Sequence, residues 1–292
     1  MSLLDPHDDL RTWIIKVIRD FCEGPQNTLQ NEANERAWDE PLVGFARGDD
    51  PLFQAYKEYV GPYHWTPWEI FTKAFPGSDV KPDALTVICW VLPHTDVTKA
   101  DNRKESEYPA ERWARSRIFG EQFNEKLRKH VVDALVEKGY RAVAPSLFPQ
   151  WEMKESERYV YSSNWSERHA AYASGLGTFG LCGGLITLKG KAVRVGAVVA
   201  CIQVPHTPRP YTTHHAYCLF YARGKCDKCM TRCPTDAITQ TGNDKLKCIE
   251  YLSKTGAYVR DNYGFQGYGC GLCQTGVPCE SRIPQELKNG SP

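Results

Sequence analysis

Long apolar runs are missing from this 292-residue chain: no window approaches the ~20 consecutive apolar residues of a membrane-spanning helix, and no basic, apolar leader opens it. A cytosolic protein with reduced thiols is therefore expected. Disulfide staples are not, since a chain of this length needs none. An excess of charge is missing too, with 36 Lys and Arg against 35 Asp and Glu. Divided at residue 213, the chain carries 26 basic and 28 acidic residues before that point and 10 and 7 after it. Neither part reads as a strong polyanion binder. Low-complexity tracts are absent, as is any internal repeat beyond two half-sites among the cysteines. One local absence matters below: no Asp or Glu stands between Glu167 and Asp227. What is present suffices for folding, because 41% apolar residues over this length allow one large domain and a small one.

Periodicity places the elements. Leu10, Trp13, Ile14, Val17, Ile18 and Phe21 recur at helical spacing after the candidate caps Asp8 and Asp9, which predicts an amphipathic helix packed on a core. Residues 26–83 are irregular and read as short helices and ordered loops. Residues 85–92 form a near-continuous apolar run ended by Pro93, as in a central strand buried on both faces. The charged run 99–111 reads as a solvated face or lid. Ile118, Phe123, Leu127, Val131 and Leu135 predict a long helix stopped by Gly139, followed by a strand at 141–144. A second helix runs from the candidate cap Ser166 to Gly175. Residues 185–188 and 192–202 then read as a hairpin about the turn Lys189-Gly190-Lys191. The Pro- and His-rich stretch 205–215 reads as a linker.

Gly175-Leu-Gly177-Thr178-Phe-Gly180 matches the G-x-G-x-x-G pattern, but its context is wrong for a dinucleotide. A helix precedes it, a hairpin is expected after it, and the acidic residue that holds a ribose is missing. Glycines here either admit a large flat cofactor close to the backbone or only make a tight helix-to-strand turn.

Eight of the twelve cysteines lie between residues 218 and 279. Cys22, Cys89, Cys182 and Cys201 sit among apolar neighbours and read as buried inert thiols, Cys182 standing out because it adjoins the glycine loop. The run Cys226-Asp-Lys-Cys229-Met-Thr-Arg-Cys233-Pro234 resembles the cluster motif of bacterial ferredoxins, with Cys218 in place of the cysteine expected at Arg223. Structural zinc on C-x2-C knuckles is the alternative. The ferredoxin resemblance implies crossed ligation. It would put Cys218, Cys226, Cys229 and Cys279 on one [4Fe-4S] cluster and Cys233, Cys248, Cys270 and Cys273 on a second.

The order of parts, with Ser166-Glu-Arg168-His-Ala-Ala-Tyr-Ala-Ser-Gly175 leading into the glycine loop, Cys248-Ile-Glu-Tyr-Leu252, and Tyr268-Gly-Cys270-Gly-Leu-Cys273-Gln274, resembles the corrinoid-dependent iron-sulfur reductases. These are the epoxyqueuosine reductases and reductive dehalogenases. The resemblance implies an α+β protein: a nitroreductase-like α/β domain at 1–212 binding cobalamin, then a ferredoxin-like domain at 213–292 with two [4Fe-4S] clusters. It implies cobalamin contacts at Arg168, Gly175, Gly177, Thr178, Gly180 and Arg194. It also implies a cytoplasmic oxidoreductase that takes electrons from ferredoxin or flavodoxin and cleaves a small-molecule substrate, with no membrane partner. A proton donor is expected a few residues before Ser166, where Tyr161 stands. The late closing Cys279, the tyrosine at 161 and the end of the sequence soon after Pro284 lead us to expect that tRNA is not the substrate. The alternative is an electron-transfer or corrinoid-reducing protein with no substrate pocket of its own.

Overall fold

The structure, a computed structural model, describes residues 6–156 and 160–288. Its elements run α1 (Pro6–Glu23), β1 (Leu42–Arg47), α2 (Pro51–Tyr59), α3 (Pro67–Ala74), β2 (Thr86–Pro93), α4 (Asp96–Lys104), α5 (Glu111–Glu137), β3 (Ala142–Val143), β4 (Met153–Ser156), β5 (Val160–Ser163), α6 (Glu167–Ala173), β6 (Gly177–Phe179), β7 (Leu185–Thr187) and β8 (Val193–Ala200). The cysteine-rich part adds α7 (Leu219–Arg223), α8 (Lys228–Thr231), β9 (Ile238–Thr239), β10 (Gly242–Asn243), α9 (Lys245–Tyr263) and α10 (Gln285–Lys288). Helix and sheet are mixed, as expected.

The main sheet has the order β1-β2-β8-β3 with every neighbour antiparallel. All eight residues of β2 are buried, as its apolar run predicts. Because side chains alternate across a strand, Val87, Cys89 and Val91 enter one core while Ile88, Trp90 and Leu92 enter another. The first is closed by Phe53 and Tyr56 of α2, Ile70 and Phe71 of α3, and Ala170 and Ala171 of α6. The second is closed by Ile14 and Ile18 of α1 and by Phe123, Leu127, Val131 and Leu135 of α5. Helix α5 stops before Gly139, whose φ of +86° lies in the left-handed region that glycine adopts freely.

Four expectations are corrected. Helix α1 starts at Pro6, ahead of the expected caps Asp8 and Asp9, because proline fits the first turn of a helix. Residues 26–83 hold β1 as well as helices; six residues containing Gly44 and Arg47 give too short an alternation to read. Residues 99–111 are a solvated face only in part: Arg103, Lys104, Glu107 and Glu111 are exposed, while Lys99 and Asn102 are buried. The Asn102 side chain accepts from the Ala110 amide at 3.0 Å and donates to the Thr275 hydroxyl at 3.1 Å. Finally, β7 and β8 do not pair with each other. Strand β7 pairs with β6, and β8 with β2 and β3. The loop between them docks on the far end of the chain instead, through Lys191 N–H to the Cys279 carbonyl (2.8 Å) and Ala192 N–H to the Glu280 carbonyl (3.1 Å). Stretch 205–215 has no helix or strand, yet it is tied down: Thr207 N–H donates to the Phe45 carbonyl and Tyr211 Oη to the Tyr172 carbonyl.

Asn124 joins α5 to the sheet. It is fully buried, accepting from the Trp90 indole N–H at 2.9 Å and donating to the Val195 carbonyl at 3.0 Å. Asn124→Ala leaves the indole N–H without its partner and the carbonyl with one donor fewer. A loss of roughly 2–4 kcal/mol is expected, read as a lower urea midpoint at unchanged slope. An unshifted midpoint would refute this role.

Candidate functional site

The cysteines arrive from separate elements. Cys218 precedes α7, Cys229 lies on α8, and Cys279 comes from near the end of the chain. With Cys226 they line one mostly apolar pocket, completed by Gly180, Leu181, Ile186, Leu219, Phe220 and Lys191 among others. The other four keep their own company. Cys248 on α9 lies in the field of Cys233; Cys270 lies in the fields of both Cys248 and Cys233, and Cys273 in that of Cys270. Burial raises the thiols of Cys270 and Cys279 to about 11 each, so both need a positive centre to ionise near neutral pH. These thiols line walls and do not close a chelate: among the described residues, no group of three or more His, Cys, Asp or Glu side chains is gathered tightly enough to hold a metal ion.

The second group is held by contacts that the sequence does not advertise. Gly271 has φ +66° and packs directly on the Trp113 indole, where a Cβ has no room. Arg232, next to Cys233, donates to the carbonyls of Thr275 (3.1 Å), Glu105 (2.8 Å) and Asn102 (3.0 Å). That guanidinium and Asn102 fasten the 270–275 turn to the chain around α4.

Two residues missed as site candidates stand between the groups. Cys182 is buried against Cys229 of one group and Cys273 of the other. Lys191 reaches the Cys182 Sγ at 3.3 Å and lines the pocket. Proximity of Cys182 to the glycine loop was a signal. Lys191 carried none, sitting in what reads as a solvent-facing turn. Cys22 and Cys89 are buried as expected, with burial raising Cys22 to about 12.

The glycine loop turns out to be packing. At Gly175 (φ +76°) a Cβ would come within 2.6 Å of the Pro208 carbonyl oxygen, and at Gly177 it would overlap the Ile186 carbonyl of β7. Thr178 is fully buried, its Oγ1 accepting from the Tyr217 amide at 2.9 Å. Of the two expectations for this loop, the tight helix-to-strand turn accounts for these contacts: at Gly175 and Gly177 the missing side chains admit the chain's own backbone. Gly180 is less confined, meeting Ile186 Cδ1 at 3.2 Å.

The charged candidates lie on an open face nearby. Arg168 is exposed and donates to the Gly183 carbonyl. Arg194 donates to Glu121, which with Glu167 brackets the buried Arg128. Against the cost of burial, Arg194 and Arg128 hold the Glu121 carboxyl below its usual range. Tyr161 is exposed on β5, and its carbonyl accepts from Lys245 Nζ at 2.8 Å, at the start of the helix that carries Cys248. Burial and the neighbouring Arg168 lower the Lys245 ammonium to about 8. Arg168 lies within the field of Arg194 and Lys245 within that of Arg168, while Lys245 meets Tyr161. Tyr159 lies outside the described residues.

No family model matches the chain. Among curated proteins, it is 32% identical over 130 residues to the epoxyqueuosine reductase of Bacillus anthracis, covering 42% of this chain and 32% of that one. It is 26% identical over 259 residues to that of Staphylococcus aureus, covering 84% and 62%. The chain is homologous to the epoxyqueuosine reductases. It spans less than two thirds of the length of these relatives. Solved structures agree in fold. An epoxyqueuosine reductase with an epoxyqueuosine-modified tRNA-Tyr stem loop superposes with a TM-score of 0.53 at 18% identity, covering 96% of this chain and 67% of that one. A catabolic reductive dehalogenase with 3-bromo-4-hydroxybenzoic acid gives 0.50 at 13% identity, covering 94% and 37%. The expectation against tRNA gains no support, since a fold neighbour was solved with a tRNA stem loop. Among the described residues no helix is long and apolar enough to cross a membrane.

Gly177→Ala puts the packing role to the test. Forcing a methyl against the Ile186 carbonyl should cost roughly 1–3 kcal/mol of stability, read by thermal or urea unfolding. A fully stable variant would return the loop to the cofactor.

Proposed function

We propose that the chain is an iron-sulfur reductase, with a nitroreductase-like part at 1–212 and a ferredoxin-like part at 213–292. In this reading Cys218, Cys226, Cys229 and Cys279 hold one [4Fe-4S] cluster and Cys233, Cys248, Cys270 and Cys273 the other. The single observation that supports it most is the convergence of the first four, from residues 218–229 and from the distant Cys279, on one pocket that also holds a buried lysine. Thiolates in an apolar, water-poor pocket suit an anionic cluster, and burial tunes its potential. Homology to epoxyqueuosine reductases adds to this reading.

When bound, the clusters would supply single electrons and cobalamin a strongly reducing metal centre. The chain's own residues then have simple duties. Arg168, Arg194 and Lys245 line a basic face suited to the phosphate and amide rim of cobalamin or to an anionic substrate, with Gly180 at its edge. Tyr161 holds a proton at Oη and gives it to the substrate as the bond to a leaving group breaks. A ferredoxin or flavodoxin would be the electron donor. The substrate belongs to the class carrying a reducible C–O or C–halogen bond.

One observation favours a second reading. The Cβ directions of Gly175 and Gly177 meet the chain's own backbone, and Thr178 is bonded to the Tyr217 amide, so the loop has a packing role that needs no corrin. In that reading the chain passes electrons to another protein's corrinoid.

Anaerobic reconstitution should give about eight irons per chain and absorbance that bleaches on reduction. Zinc in place of iron would overturn the reading. Cobalamin retained on equilibrium dialysis favours the enzyme; none retained favours the carrier.

Tyr161→Phe keeps the ring and removes the proton. Turnover of a substrate or model acceptor should fall roughly 10²- to 10⁴-fold at unchanged iron content. Unchanged turnover would leave Tyr161 without a catalytic part.

A further inference from the structure

A buried ammonium normally comes with a carboxylate, because taking a charge out of water costs several kcal/mol unless it is paired. Lys191 departs from this. Its residue is 2% exposed, and the charged neighbours within reach of its Nζ are thiols: Cys182, Cys279, Cys273 and Cys229. Among the described residues it makes no ion pair with Asp or Glu. The ammonium is also fixed in place. Its backbone N–H is held by the Cys279 and Glu280 carbonyls at 2.8 and 3.0 Å, its stem packs beside Gly184, and its Nζ meets the Cys182 Sγ at 3.3 Å. It lines the same pocket as Cys218, Cys226, Cys229 and Cys279. Hydrogen bonds from Cys229 and Cys273, and Lys191 itself, lower the Cys182 thiol, which makes that one sulfur a partial counter-charge for the ammonium. An anionic cluster would be a good one.

We propose that Lys191 is the built-in counter-charge of the cysteine centre, and that it raises the reduction potential of the group held by Cys218, Cys226, Cys229 and Cys279. This rests on the iron-sulfur reading above. The sign follows from electrostatics. Adding an electron makes the centre more negative, and a fixed positive charge in a poorly screened interior stabilises that form more than the oxidised one. The same ammonium has one cysteine of the second group, Cys273, within its field against two of the first, Cys279 and Cys229, and so acts on the second group more weakly. Lys191 is thus a positioning and tuning residue that touches no substrate.

The test is an anaerobic redox titration of the reconstituted full chain, followed by electron paramagnetic resonance, on the parent, Lys191→Met and Lys191→Arg. At a fixed applied potential, Lys191→Met should shift the oxidised-to-reduced ratio of one cluster at least about tenfold towards oxidised, which is ~59 mV for a one-electron couple. The other cluster should move less, and Lys191→Arg, which keeps the charge, should stay near the parent. If both Lys191→Met and Lys191→Gln fail to retain iron while Lys191→Arg retains it, the requirement for charge is supported by loading instead of potential. Parental iron content with parental potentials in Lys191→Met, or equal shifts in Lys191→Met and Lys191→Arg, would overturn the inference and leave the cluster reading standing. A parent chain that takes up no iron would end both.

Discussion

Because every residue of β2 is buried, neither face of the main sheet can meet water, and helices must close over both. That constraint organises the molecule. Helices α1 and α5 cover one face and α2, α3 and α6 the other, so the alternation of Val87, Cys89 and Val91 with Ile88, Trp90 and Leu92 decides which helix goes where. Some of the polar groups that this burial traps are met by side chains of the helices. Asn124 serves the Trp90 indole, and Arg128 sits between Glu121 and Glu167 with its remaining reach on the Val195 carbonyl. Glu121 then extends the network outward to Arg194, so the open basic face is anchored in the core.

The cysteine-rich part depends on this frame through three fastenings. The 188–192 loop pairs its backbone with residues 279 and 280, which brings Cys279 to the pocket and Lys191 in beside it. Asn102 and Arg232 tie the 270–275 turn to α4 and the segment after it. Trp113 of α5 provides the flat surface against which Gly271 turns. Lys245, near the head of the helix that carries Cys248, donates to the Tyr161 carbonyl and so joins β5 to the cysteine-rich part.

Much of this was legible from residues alone where the signal is local. The β2 run, the 3.6-residue spacing of α5 and its glycine stop, and the cysteine spacing all report short-range physics: burial of a continuous strand, one apolar helix face, and thiols on adjacent turns. The family resemblance, carried by the Cys248 and Tyr268 motifs, agrees with the homology found in sequence. Readings that assumed local pairing failed. A hairpin at 185–202 is the economical solution for an isolated segment, but the isolated segment does not exist. Residues 279 and 280 take the backbone of the turn, and β7 finds β6 instead.

What the sequence by itself determined is therefore the set of parts: a doubly buried strand, its amphipathic covers, and eight cysteines at ferredoxin-like spacing. Tertiary structure decided how they are used. It packed the glycine loop against the chain's own backbone, because Ile186 and Pro208 occupy the space that the missing side chains of Gly177 and Gly175 leave. It also turned Lys191, which reads as part of a hairpin turn, and Asn102, in a run that reads as solvated, into buried contacts. The reason is physical. Burial of a charge or an amide is settled by what arrives from distant chain, and a single residue's neighbours in sequence carry no record of that arrival.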